Sequence, residues 1–125
     1  MINKPAIDIE RDNLLTDFGK EVLRDRYMLP TEKSPQEAFA RAAAAFADSD
    51  AHAKRLYDYS SKLWFMFATP ILSNGGTDRG LPISCFLNYV PDSREGLSEH
   101  YAENIWLSSS GGGIGGYWGD IRSQD

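Results

Sequence analysis

The run Pro82-Ile83-Ser84-Cys85-Phe86-Leu87-Asn88-Tyr89-Val90-Pro91, continuing into Asp92-Ser93-Arg94-Glu95, marks a change from one kind of fold to another. Ile83 to Val90 is short, apolar and β-prone, and prolines bound it on both sides, so it reads as a buried strand. Asp92-Ser93-Arg94-Glu95 is a helix-start signal, with side-chain oxygens placed to accept from the first unpaired backbone N–H groups. Leu97, Tyr101, Ile105 and Trp106 supply a helix face lasting to about Ser109. Gly111-Gly112-Gly113-Ile114-Gly115-Gly116 then reads as a glycine loop, with Tyr117 and Trp118 in a short tail. Strand, helix and glycine loop open an α/β unit whose next strand should pair with the first. A lone strand leaves its backbone groups unpaired and its faces uncovered. The segment therefore reads as the front of something larger.

Upstream, residues 1–67 read as helical. Leu14, Leu15, Phe18, Val22, Leu23 and Tyr27 recur at three- and four-residue steps, the period of one helix face. Asp12 or Asn13 is placed to cap that helix, and Pro30 ends it. Ser34-Pro35-Gln36-Glu37 is a capping box: serine at the N-cap, proline at the first helical position, glutamate at the third. The second helix runs to about Ala47, and Asp48-Ser49-Asp50 interrupts it. A third is predicted over Ala51 to Phe67, with Leu56, Tyr59, Leu63 and Phe67 on its apolar face and Trp64 and Phe65 beside them. At Ala68-Thr69-Pro70 the texture changes, and residues 70–82, with three glycines and two prolines, read as a loop held in specific turns.

The bulk properties narrow the function classes. The chain has 125 residues, 13 Lys+Arg against 18 Asp+Glu, and a formal net charge of -5. That acidic balance argues against a generic nucleic-acid coat while leaving room for a local phosphate site. Six Phe, six Tyr and three Trp offer enough apolar area to exclude disorder along most of the chain. No stretch approaches the ~20 apolar residues a bilayer span requires, and residues 1–11 lack the apolar core of a signal peptide. The single cysteine, Cys85, excludes an internal disulfide framework and a zinc site built from cysteines of this chain. The reading is a cytoplasmic protein.

Few residues are suited to chemistry. A free cysteine in a strand is ordinarily a small buried hydrophobe; a catalytic thiol would need a base or second cysteine nearby, and the sequence offers neither in cis. Gly111, Gly113 and Gly116 formally match G-x-G-x-x-G, but a helix precedes them and nine residues follow, which is the wrong context for a dinucleotide fold. Bare glycine backbone can still approach a phosphate, or it can form a plain helix-to-strand turn. Asp92, Ser93 and Glu95 serve as capping residues on the simplest reading. His52 and His100 sit among polar residues and read as solvated. The Trp64, Phe65 and Phe67 stripe reads as core.

Three stretches taken together resemble the large (α) subunit of ribonucleotide reductase: Phe67-Ala68-Thr69-Pro70-Ile71-Leu72-Ser73-Asn74-Gly75-Gly76-Thr77, Pro82-Ile83-Ser84-Cys85-Phe86-Leu87, and Gly112-Gly113-Ile114-Gly115-Gly116-Tyr117-Trp118-Gly119-Asp120-Ile121-Arg122. They fall in family order with family-like spacing. The resemblance implies an α/β architecture: an N-terminal helical domain (1–67), then the opening strand-helix-strand part of a ten-stranded α/β barrel (68–125), incomplete in this chain. It implies that Cys85 is the redox-active thiol that reduces the ribose and then joins a second cysteine in a disulfide. It implies substrate contacts at Thr69, Ser84, Cys85 and Gly113, and effector contacts for a deoxynucleotide at Asp92, Ser93, Arg94 and Arg122. Hydroxyls and bare glycine backbone are donors suited to phosphate, and an arginine supplies charge for a triphosphate.

The same resemblance implies partners: a radical-generating small (β) subunit with its metal, or adenosylcobalamin, thioredoxin or glutaredoxin as reductant, a complementary C-terminal α fragment, and an α dimer. It implies no membrane or nucleic-acid partner, and no cofactor or metal held by this chain. The radical-forming and resolving cysteines and the catalytic asparagine and glutamate of the family lie past Asp125, so the isolated chain is expected to be inactive. The stretch before Asp8 is too short for an ATP-cone. Two other readings compete: a non-catalytic nucleotide-binding or regulatory module that kept the effector segment, and a small helical interaction domain with coincidental motifs.

Overall fold

The computed structural model describes residues 1–124. Contacts divide the chain into two compact units, Met1–Pro82 and Ile83–Asp125; the composition change at residues 67/68 falls inside the first of them. Among the described residues, no helix is long and apolar enough to cross a membrane.

The first unit is all-helical. A short 3₁₀ helix, Ile9–Leu14, begins where Asp8 accepts from the Glu10 N–H. Helix α1, Asp17–Arg26, is capped by Thr16, whose Oγ1 accepts from the Gly19 N–H at 3.0 Å. The expected single helix capped at Asp12 or Asn13 is thus two pieces. Asp12 is engaged elsewhere: its carboxylate accepts from Ser34 Oγ at 2.6 Å and Gln36 Nε2 at 2.9 Å. Helix α2, Pro35–Phe46, starts with the capping box in place, Ser34 accepting from the Gln36 N–H and Glu37 accepting from the Ser34 N–H. Helix α3, Asp50–Ser61, is capped by Ser49.

Helix α3 stops six residues short of the predicted Phe67. Leu63 takes a left-handed φ of 61°, a conformation a branched aliphatic residue adopts at a cost, and the helix cannot continue through it. The aromatic stripe expected in the core is therefore largely outside it: Trp64 is 68% exposed and stacks on Tyr59, while Phe65 meets Phe67 edge-on. The predicted loop after Ala68 begins with a helix, α4 (Thr69–Asn74).

The core of this unit lies around α2. Ala38, Phe39, Ala40, Ala42 and Ala43 are buried together with Leu23, Met28, Tyr57 and Leu72. Alanines on that helix let its neighbours pack close, so Phe39 and Tyr57 fill the space between elements. Arg41 is buried among them, 2% exposed. Its charge is matched by Glu32, with Nε to Oε1 at 2.7 Å, and its remaining N–H groups reach backbone carbonyls. A buried guanidinium is tolerated only when paired and hydrogen-bonded in this way.

The second unit is a parallel pair of strands joined by a helix: β1 (Cys85–Tyr89), α5 (Arg94–Ser109), β2 (Gly113–Tyr117). Residues 113–117 are a strand and not the expected glycine loop, and they supply the partner that β1 requires. Glycine allows this because a side chain would not fit: a Cβ on Gly112 would lie 2.2 Å from Phe86 Cε2. The strand expected to be buried is largely exposed, with Leu87 at 89% and Tyr89 at 53%. Two strands cover each other along one edge only, and α5 packs on one face.

Candidate functional site

Three of the residues singled out in the sequence meet at the start of the strand pair. Cys85 opens β1 and faces Gly113 in the parallel register. The Gly113 N–H donates to the Ser84 carbonyl at 2.6 Å, and Ser84 Oγ lies 3.7 Å from Cys85 Sγ. The thiol is free and exposed, not the buried hydrophobe that strand cysteines ordinarily are. A hydroxyl, a thiol and an open stretch of glycine backbone thus share one end of the sheet. Such an end can hold an oxygen-rich ligand against a sulfur.

The other end of the same strands gathers a second group. Ser93 caps α5, accepting from the Gly96 N–H at 2.9 Å, and Arg94 begins the helix. Arg122 Nε donates to Asp92 Oδ2 at 2.6 Å. The Val90 N–H donates to the Tyr117 carbonyl at 3.0 Å, extending the ladder past the strand ends. The Tyr89 and Tyr117 rings stack at 6.1 Å. The Asp120 carboxylate holds the pKa of the Tyr89 hydroxyl above the usual phenol range. At ~3.3 Å per residue, the five residues of β1 put about 13 Å between Cys85 and Tyr89, so the two groups stand apart at opposite ends of one support.

Thr69 belongs to the first unit, as the opening residue of α4. Its exposed Oγ1 lies 3.2 Å from the Tyr27 hydroxyl. It borders an apolar recess of about 240 Å³ whose walls include Phe18, Val22, Tyr27 and Phe67.

Comparison with known proteins gives these positions a frame. A family profile described as "Ribonucleotide reductase, all-alpha domain" matches residues 13–80. That covers more than half of the chain. The chain belongs to the ribonucleotide reductase large-subunit family. Among its relatives, the ribonucleoside-diphosphate reductase large subunit of Invertebrate iridescent virus 6 is 44% identical over 119 residues, covering 95% of this chain and 12% of that protein. The corresponding protein of Invertebrate iridescent virus 3 is 49% identical over 111 residues, covering 88% of this chain and 18% of that one. The Actinobacillus ureae class Id ribonucleotide reductase alpha subunit has a similar structure, with a TM-score of 0.73 at 33% identity, over 94% of this chain and 22% of that one. This chain thus spans less than a fifth of the viral relatives' length.

A cluster around one buried histidine went unread in the sequence. His100, read as solvated, is 4% exposed. Its Nε2 is bonded to Asn104 Nδ2 at 3.0 Å, Asn104 Oδ1 accepts from Asn88 Nδ2 at 2.9 Å, and the ring packs edge-on against Trp118 at 4.9 Å. A Cβ on Gly116 would lie 2.9 Å from the His100 ring, so the glycine makes room for it. The only local signal was the i, i+4 spacing of His100 and Asn104 on one helix. His52 bonds to Asp48 at 2.9 Å near the surface.

Proposed function

We propose that this chain is the N-terminal portion of a ribonucleoside-diphosphate reductase large subunit, with Cys85 as one of the two redox thiols that reduce a ribonucleotide to a deoxyribonucleotide. The observation that carries the reading is the convergence of Ser84, Cys85 and Gly113 at one end of the strand pair. The reaction replaces a ribose hydroxyl by hydrogen, and the hydroxyl leaves as water. Two thiols give up two electrons and two protons and close into a disulfide. Cys85 is the one cysteine of this sequence, so the second sulfur comes from elsewhere in the enzyme.

The hydroxyl-bearing and glycine positions have binding roles. The Ser84 and Thr69 hydroxyls donate to phosphate oxygens, and the glycine backbone at Gly113 lets the phosphates approach closely. Strand β1 holds the sulfur in a fixed direction against the sugar, as a positioned redox step requires. A thioredoxin- or glutaredoxin-class reductant regenerates the dithiol by thiol–disulfide exchange.

Asp92, Ser93, Arg94 and Arg122 form the specificity-effector site, with Arg122 facing the phosphates of a deoxynucleoside triphosphate. The strand pair opens a ten-stranded α/β barrel completed by the rest of the enzyme, which works as an α dimer. The initiating radical comes from a metal-containing small (β) subunit or from adenosylcobalamin. The roles assigned to this chain are binding and thiol redox.

The test is Cys85→Ser in the full-length large subunit, supplied with its radical generator and a dithiol reductant. Deoxynucleotide formation is expected to vanish while effector binding persists. Turnover at the wild-type rate in that variant overturns the reading.

A further inference from the structure

The hydroxyl of Thr69 has a structural partner that the substrate-contact reading does not account for. Tyr27 ends α1, and its hydroxyl lies 3.2 Å from Thr69 Oγ1. Thr69 stands at the start of a helix that has no side-chain capping bond, so its own hydroxyl is not spent on the helix end.

One buried side chain fixes both partners. Arg41 Nη2 donates to the Tyr27 carbonyl at 3.0 Å. Arg41 Nη1 donates to the carbonyls of Leu72 at 3.0 Å and Gly75 at 2.7 Å, at the far end of the helix that Thr69 begins. A rigid planar guanidinium thus ties the end of α1 to α4. Glu32, itself nearly buried, completes the clasp.

Resting on the reading of Thr69 as a substrate contact, we propose that Tyr27 is a positioning residue for the substrate phosphates, acting through Thr69. The Tyr27 O–H donates to Thr69 Oγ1. That bond turns the single Thr69 proton outward, toward the phosphate oxygen it is to meet. A hydroxyl that accepts one hydrogen bond is also a better donor in the next. Without Tyr27 the Thr69 rotor is free, and the bond to phosphate costs the entropy of fixing it.

The experiment is a double-mutant cycle in the full-length large subunit with its radical generator, measuring KM and kcat with CDP. Thr69→Val is expected to raise KM with little change in kcat. Tyr27→Phe keeps the ring and its packing, and is expected to raise KM about 3- to 10-fold, the equivalent of one neutral hydrogen bond. The double variant is expected to match Thr69→Val alone, because Tyr27 acts through that hydroxyl. An unchanged KM in Tyr27→Phe overturns the proposal, and so do effects that multiply in the double variant. If Thr69→Val itself leaves KM unchanged, the substrate-contact reading of Thr69 fails first, a separate result. A fluorotyrosine at position 27, a stronger donor of almost the same shape, is expected to shift KM in the opposite direction; no shift counts against the proposal.

Discussion

Arg122 and Asp92 close the second unit upon itself: the guanidinium reaches both the Asp92 carboxylate, at 2.6 Å, and the Asp92 backbone carbonyl, at 3.3 Å. Two candidate effector residues are thus each other's partners in the free chain. An anion that takes up Arg122 must compete with Asp92 for it.

That competition separates stability from binding. The Arg122 side chain is 78% exposed and that of Asp92 34%, and exposed pairs contribute only ~0–1 kcal/mol. Arg122→Ala is therefore expected to change urea stability by less than about 1 kcal/mol. Its affinity for a deoxynucleoside triphosphate is expected to fall about tenfold or more, in keeping with a lost charge-assisted bond. Calorimetric titration of the full-length large subunit with dTTP checks this. Unaltered affinity in the variant removes Arg122 from the effector site.

Gly112→Ala tests the strand assignment. The added methyl would meet the Phe86 ring at 2.2 Å, so the two strands must separate or the ring must turn. The expected cost is roughly 1–3 kcal/mol, as for other overpacked sites. Hydrogen exchange at the Gly113 N–H, which is bonded to Ser84, should quicken. Combining Gly112→Ala with Phe86→Ala is expected to be less damaging than the sum of the two single changes, since the second removes the obstacle. Strict additivity would show that the contact is not what limits the strands.

The helical unit carries a pH dependence of its own. Lys54 bonds the Asp58 carboxylate at 2.7 Å, and Arg11 adds a second bond at 3.0 Å. Both hold its pKa below the usual carboxylate value, Lys54 most. A depressed folded-state value means that the unfolded chain binds the proton more readily. The stabilisation is then fully present above the unfolded pKa of ~4 and fades as pH falls through the folded value. Asp58→Asn should reduce the loss of stability between neutral and acid pH, as read from urea midpoints. An identical acid loss in that variant would assign the effect to other groups.

What the sequence made legible was local. The Ser34-Pro35-Gln36-Glu37 capping box was readable because its donors and acceptors lie within four residues of one another, and the structure shows both bonds. The Ser93 cap and the extent of α5 followed for the same reason. Distant partners decided the rest. Asp12 looked like a cap until Ser34 and Gln36 claimed it from across the unit. The glycine run looked like a loop because nothing near it reveals that Phe86 needs the space a Cβ would take. His100 looked solvated because Trp118, whose ring packs against it, comes from beyond the end of β2. Ser84, Cys85 and Gly113 were grouped by motif alone. Their adjacency depends on a parallel register that no local pattern reports.

That register also limits how such a chain can change length. One residue added within 85–89 or 113–117 would turn every later side chain of the strand to the opposite face. It would also take Tyr117 away from Val90, a bond of 3.0 Å at the far end of the pair. Exposed connections such as Asp48-Ser49 bear no comparable constraint. Insertions and deletions among descendants of this sequence should therefore collect between its helices. In the strand pair, spacing is inherited more strictly than residue identity.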